Sequence, residues 1–437
     1  MLRSLTLSGI PPFRHEMLEF GPRLNLITGD NGVGKTLMLD LCWYALTRTW
    51  VDEQGVMIQP TQEDLEKGEP PWMAWGLAGK REGDGEGGAD YRLKDQGWHG
   101  RWVSGASRPQ IPGVVIYARV DGGFSVWDPL RNRSSTDSDG TGVIGAYHFS
   151  RENVWQGLRD VSAKDGRNLC NGLLRDVENW RLKGNGAFSA LSAVLGRLSV
   201  DGADPLRLGP AIQVRLGDED WIPTLQTRYG AVPVTQAAAG VKRVLALAYL
   251  LVWAAESHKR SARLLGEDPE DRMVLLFDEV EGHLHPRWQR LFLPALMDVG
   301  STLLRADQMK NVQIIATTHA PLVTASLESV FDPEIDRLFN LELGQKHAAV
   351  EPVQWAKFGD ASGWLTSPMF DMESGYAKEA EVAMRAADDF MAGYLDALPR
   401  NLQTSEEIHA QLVRTLDGAD PYWPFWLPFY RQQGGKQ

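Results

Sequence analysis

The segment Gly29-Asp30-Asn31-Gly32-Val33-Gly34-Lys35-Thr36 matches G-x-x-x-x-G-K-[ST], and no other feature of the 437-residue chain limits its fold so tightly. The motif has meaning in one setting, directly after a strand and at the opening of a helix. Here "RLNLITG" reads as the strand, and a helix is predicted from Gly34 to about Thr47. Glycines let successive backbone N–H groups curl round phosphates, and the helix N-terminus adds partial positive charge. Lys35 then reaches the outer phosphates and the Thr36 hydroxyl ligates Mg²⁺.

Two further stretches suit such a site. "MVLLF" (Met273 to Phe277) is apolar without polar alternation, as in a parallel strand covered on both faces. It ends in Asp278-Glu279, and an acid at that end of a parallel strand faces the ligand crevice. Asp278 can hold the magnesium shell, and Glu279 can orient or deprotonate the attacking water. "VQIIATT" (Val312 to Thr318) has the same character and delivers His319. In a nucleotide fold that histidine lies near the γ-phosphate; otherwise it is a structural or capping residue.

The rest of the chain sets bounds. Its length implies two or three lobes. Two cysteines, Cys42 and Cys170, make neither a metal spacing nor a disulfide framework, which fits a reducing cytoplasm. The longest apolar run, Val244 to Ala254, is too short to span a bilayer. A net charge of -12 argues against a chain-wide nucleic-acid coat, although "HKRSAR" (His258 to Arg263) is a local basic cluster or a solvated helix end. The first thirty residues read as three strands, and Asp121-Gly122-Gly123 reads as a hairpin turn between "GVVIYARV" and "FSVWDP". "SSTDSDGTG" (Ser134 to Gly142) reads as a flexible loop. From about 151 to 200 the period is helical, with Phe188, Leu191, Val194, Leu195 and Leu198 on one face. In the tail, Ala383, Ala387, Phe390 and Tyr394 line one side of a helix, and Thr404 with Glu407 caps another that stops at Gly418. The three prolines of "PYWPFWLPFY" (Pro421 to Tyr430) exclude a regular helix there.

The three site segments, in this order, resemble the ABC-type ATPase heads of the RecF, SMC and OLD group. "DEVEGHLHP" and "ATTHAPLV" are most similar to the OLD-like branch. The resemblance covers about residues 1 to 345 and implies an α/β P-loop NTPase: a β-rich lobe I, a helical subdomain, a parallel-sheet lobe II and a helical C-terminal extension. The corresponding segments are 1–150, 151–240, 241–345 and 346–437. ATP and Mg²⁺ are the implied ligands. In such heads a signature loop contacts the γ-phosphate bound by the opposite subunit. "QAAAGVKR" stands in that place, with Ala238 and Ala239 in place of the usual Ser and Gly, and with Gly240 kept. That segment then reads as both a helix packed in the core and a helix N-terminus facing a phosphate, the alternative being a core helix alone. A magnesium-sensing glutamine is also implied, for which Gln156 is the candidate beside its reading as a plain surface residue. Arg14 either touches the nucleotide or is a surface strand residue.

The stretch between Lys35 and Asp278 carries no heptads, so long coiled-coil arms are not expected, and no Toprim-like acidic constellation follows the head. The resemblance then extends to stand-alone ATPase subunits of Septu-like, PARIS-like or retron-linked systems. It implies a homodimer or higher homo-oligomer working with a separately encoded nuclease or toxin in anti-phage defence. The tail aromatics Trp423, Phe425, Trp426 and Phe429 either dock that partner or fold back on the chain's own helices. The alternative is a RecF-like ATPase that binds DNA directly, which needs a basic face that the acidic balance disfavours.

Overall fold

A computed structural model of the chain describes residues 1–51, 70–78, 85–92, 97–102, 111–132, 145–160, 166–184, 186–199, 205–214, 221–303, 311–344 and 347–434. The loop expected at Ser134 to Gly142 lies outside these residues. The chain forms two compact units, Met1–Lys357 and Phe358–Gln437.

The first unit is organised by one sheet. Its strands begin with β1 (Leu2–Ile10), β2 (Phe13–Glu19), β3 (Leu24–Gly29), β4 (Trp72–Leu77), β5 (Gly85–Arg92), β6 (Gly97–Trp102), β7 (Val114–Ala118), β8 (Phe124–Trp127) and β9 (Tyr147–Phe149). Five short strands form two separate small sheets: β10 (Leu158–Asp160) with β11 (Arg167–Cys170), and β12 (Arg207–Gln213) with β13 (Trp221–Thr227) and β14 (Gly230–Pro233). The main sheet resumes with β15 (Met273–Phe277), β16 (Val312–Thr317), β17 (Arg337–Leu343) and β18 (Ala348–Pro352). Its order is β6-β5-β4-β1-β2-β18-β17-β3-β16-β15-β7-β8-β9.

The middle of that sheet, β17-β3-β16-β15-β7, is parallel at every pairing. All five residues of β7 and of β15 are buried, as strands covered on both faces require. Antiparallel hairpins extend the sheet on both sides. The core gathers on these strands and on α1 (Lys35–Thr47), in which Met38, Leu39, Leu41, Cys42 and Trp43 are wholly buried.

The other helices of this unit are α2 (Arg151–Gln156), α3 (Leu173–Lys183), α4 (Ala187–Arg197), α5 (Ala239–Leu265), α6 (Pro286–Leu303) and α7 (Pro321–Ser326). Leu191, Val194, Leu195 and Leu198 are buried as the period indicates, while Phe188 is half-buried. The stretch expected to be helical, 151–240, also contains the two small sheets. β10 and β11 are only three and four residues long, and the seven-residue β12 and β13 each contain a proline and mixed polarity, so neither small sheet leaves a regular alternation. Residues Val244 to Ala255 of α5 are buried without interruption. Among the described residues no helix is long and apolar enough to cross a membrane.

"HKRSAR" lies near the end of α5, where Arg260 and Arg263 are exposed, as in a solvated helix end. His258 is buried, with Nδ1 2.9 Å from Asp128 Oδ1 and Nε2 accepting from the Glu270 N–H at 2.8 Å. Lys259 pairs with Glu256.

The second unit contains α8 (Ala361–Leu365), α9 (Lys378–Ala392), α10 (Ser405–Thr415) and α11 (Trp423–Gln432). The Thr404–Glu407 capping box opens α10 as expected, and the helix ends at Thr415 rather than at Gly418. Tyr394 does not share the α9 face, because the helix stops at a left-handed Gly393 and leaves Tyr394 66% exposed. The exclusion of helix from Pro421 to Tyr430 is overturned by α11. Pro421 precedes the helix, Pro424 occupies its first turn where no donor is needed, and only Pro428 removes an internal bond. Burial offsets that loss. Trp426 is fully buried against Ile408 and Leu412, and its Nε1–H donates to His409 Nδ1 at 3.1 Å. The tail aromatics therefore fold back on their own unit, with Phe425 left 70% exposed.

Candidate nucleotide site

The parallel strands bring the three segments to one edge. β3 lies beside β16, and β16 beside β15, so their C-terminal ends present Gly29, His319 and Asp278 to a common crevice. The loop 29–36 then turns into α1. Gly32 (φ 82°) and Gly34 (φ 102°) adopt left-handed backbone that side chains resist, and a Cβ at Gly32 would meet nothing within 4 Å. Asp30, Asn31 and Gly32 are exposed, whereas Val33 is buried and anchors the loop. Lys35 is buried, and its ammonium donates to the carbonyls of Gly29 and Asp30, both at 2.7 Å. Burial lowers its pKa, opposed by the charges of Glu279, Glu281, Asp278 and Asp30.

The Thr36 hydroxyl donates to Asp278 Oδ2 at 2.7 Å, linking the phosphate loop to the acidic strand end. Asp278 Oδ1 accepts from Thr317 Oγ1 at 2.8 Å, and Thr317 Oγ1 in turn accepts from the Glu279 N–H at 2.9 Å. Thr36 and Asp278 thus offer adjacent hard oxygen donors, the chemistry that suits Mg²⁺, which takes few protein ligands and keeps several waters. Glu279 follows with φ 49°, an unusual conformation for a residue with a Cβ. The Gly282 N–H holds its carbonyl at 2.8 Å. The Glu279 side chain is 31% exposed and that of His319 42%, with Nδ1 3.9 Å from Glu279 Oε1. The Glu279 carboxylate and the His319 imidazole are therefore partly exposed, while Asp278 beside them is buried.

Ala238 caps the N-terminus of α5 without any side-chain hydrogen bond, and both it and Ala239 are exposed. The helix N-terminus is thus open to an anion. Gly240 has a local reason to be glycine, since a Cβ there would lie 2.8 Å from the His283 carbonyl oxygen. Gln156 is exposed at the end of α2, and no hydrogen bond joins it to Thr36 or Asp278. Arg14 is an exposed residue of β2.

Four residues were not singled out from sequence. Thr317 and Glu281 bond the ends of β15 and β16 together, and Arg243 donates to the carbonyls of Asp278 and Glu279 at 3.2 Å each. Asp40 lies one turn after Thr36, where burial, with Asp278 adding, pushes its carboxyl up to about 7 against the pull of Tyr117 and Arg119. The folded state therefore holds that proton more tightly than the unfolded chain. Stability from this group is complete below the unfolded value near 3.8 and is lost as pH rises through about 7. Asp40→Asn is expected to raise the melting temperature more at pH 8 than at pH 5, and least below pH 4. Equal shifts at pH 8 and pH 5 would contradict this assignment.

Two family matches fall on the segments that contain these residues. Residues 222–325 match the family described as "AAA domain, putative AbiEii toxin, Type IV TA system", and residues 4–66 match an AAA domain. The first match contains Ala238–Gly240, Asp278, Glu279 and His319, and the second contains the phosphate loop. The chain is 30% identical to the retron Ec83 probable ATPase of Escherichia coli over 143 residues, 33% of this chain and 21% of that protein. It is 34% identical to the Septu protein PtuA of Bacillus mycoides (strain KBAB4) over 100 residues, 23% of this chain and 12% of that protein. The chain thus spans about a fifth or less of these relatives. Among solved structures, the SMC head domain from Thermotoga maritima matches with TM-score 0.42 and 16% identity, covering 81% of this chain and 99% of that one. An SmcHead bound to the C-winged helix domain of ScpA gives 0.44 and 11%, covering 81% and 97%. Residues 4–66 and 222–325 of the chain are thus similar to AAA domains, and its matched segments are similar to parts of the retron Ec83 probable ATPase and the Septu protein PtuA.

Proposed function

We propose that the chain is a nucleotide-gated switch that binds and hydrolyses Mg-ATP at composite sites between subunits and regulates a separately encoded effector, a nuclease or toxin, in anti-phage defence. The observation that carries this reading is the Thr36–Asp278 hydrogen bond, which joins the phosphate loop to the acidic strand end beside a partly exposed Glu279.

In this reading Lys35 releases the Gly29 and Asp30 carbonyls to hold the β- and γ-phosphates. Thr36 and Asp278 hold Mg²⁺, which neutralises phosphate charge when bound. Glu279 takes a proton from the attacking water, and His319 lies where it can steady the γ-phosphate. The exposed N-terminus of α5, at Ala238 to Gly240, supplies backbone N–H groups and helix dipole to the phosphate of an opposing subunit. The serine absent at Ala238 removes one neutral hydrogen bond, worth about 0.5–1.5 kcal/mol, which weakens subunit closure without abolishing it. The segments 1–150, 151–240 and 241–345 act as lobe I, a subdomain and lobe II, and the C-terminal unit is the docking or oligomerisation element. The similarity to the retron Ec83 probable ATPase and to the Septu protein PtuA supports a role as an ATPase related to those systems. The test is the solution mass of the Glu279→Gln chain with and without Mg-ATP. A nucleotide-dependent rise from monomer to dimer is expected; a monomer at saturating Mg-ATP would contradict composite sites.

A further inference from the structure

Glu281, two residues beyond Glu279, is a buried carboxylate whose bonds all run to the neighbouring strand end. It is 7% exposed. Its Oε2 accepts from Thr318 Oγ1 at 2.7 Å, and its Oε1 accepts from the His319 N–H at 2.7 Å. The same Oε1 lies 2.9 Å from His319 Nδ1. A carboxylate only accepts, so a ring nitrogen this close must carry the hydrogen. Nδ1 is thereby committed to Glu281, and Nε2 becomes the free nitrogen of the ring. The same Nδ1 is 3.9 Å from Glu279, so one imidazole stands between the two carboxylates. Burial of the Glu281 charge is eased by Arg243, for which Glu281 is the foremost charge opposing desolvation of the guanidinium. The loop itself is closed by Gly282 N–H to Glu279 O and Leu284 N–H to Glu281 O, both at 2.8 Å, which leaves the carboxylate little freedom.

We propose that Glu281 is a positioning residue that fixes His319 as its Nδ1–H tautomer and holds the ring beside Glu279, so that Nε2 is the nitrogen offered to the nucleotide. This rests on the reading of Glu279 and His319 as the hydrolytic pair. Outer partners that orient a functional histidine typically contribute about 10- to 100-fold to activity. Glu281→Gln keeps an acceptor oxygen in place; Glu281→Ala removes it.

The experiment has two independent readouts on the full chain. The first is the nitrogen chemical shifts of labelled histidines, with the His319 signals identified by their loss in His319→Ala. The second is steady-state ATP hydrolysis, with Lys35→Ala as the check on the site itself. Wild type and Glu281→Gln should show His319 with its hydrogen on Nδ1, and Glu281→Ala should move it to Nε2. Turnover in Glu281→Ala should fall about 10- to 100-fold with KM nearly unchanged, and the Glu281→Ala/His319→Ala pair should fall no further than His319→Ala alone. An Nε2–H ring in wild type would overturn the proposal whatever the ATPase result. So would a double variant whose loss is the product of the two single losses. Hydrolysis unaffected by Lys35→Ala would instead remove the catalytic reading, while the tautomer result would still decide the role of Glu281 in placing the ring.

Discussion

Lys35→Ala is expected to weaken ATP binding about 100-fold or more. The ammonium is the one basic group anchored inside the phosphate loop, at 2.7 Å from two of its carbonyls. Each charge-assisted hydrogen bond it makes to phosphate is worth about 1.5–3 kcal/mol. Two such bonds amount to about 3–6 kcal/mol, which at about 1.4 kcal/mol per tenfold is a loss of 100-fold or more. The fold should survive, because the carbonyls released at Gly29 and Asp30 adjoin exposed loop residues that water reaches. Equilibrium binding of ATP, with the melting temperature as a control, checks both halves. Wild-type affinity in a folded variant would remove the loop from nucleotide binding.

Glu279→Gln should separate binding from chemistry. Glutamine keeps the size and the backbone conformation but cannot take a proton. Loss of a general base typically costs about 10²- to 10⁴-fold in rate. Turnover should fall within that range while ATP affinity stays close to wild type. Glu279 is also the foremost carboxylate favouring the charged form of Lys35, and its neutralisation removes that support together with a negative charge that repels the phosphates, so the two effects on ATP affinity oppose each other. Single-turnover hydrolysis is the measurement; an unchanged rate would take Glu279 out of the chemistry.

The site was legible where its chemistry is written in contiguous residues. The phosphate loop, Asp278-Glu279 and Thr-Thr-His each sit at the end of an apolar run, and such runs end at one edge of a parallel sheet. What was not legible depends on which strands are neighbours. Thr317 bonds Asp278 and Glu281 bonds His319 only because β16 lies against β15, a pairing no local pattern records. Arg243 closes the "QAAAGVKR" stretch with no local pattern to mark it, and only the fold turns it onto the carbonyls of Asp278 and Glu279. The tail was misread for a different reason. Proline was weighed as if every position were interior, whereas Pro424 sits in the first turn of α11 and burial of Trp426 offsets Pro428.

The central claim is that Ala238 of one subunit faces the phosphate loop of another, and cross-linking tests it most directly. Asn31→Cys and Ala238→Cys, each in a Glu279→Gln chain, place thiols at exposed positions of the two faces. The native cysteines do not compete, because Cys42 and Cys170 are buried and burial pushes both thiols up, Cys170 to about 11. Mixed and mildly oxidised, the two variants should form a disulfide-linked heterodimer with Mg-ATP and almost none without it. Bound ATP with no heterodimer would contradict the composite site.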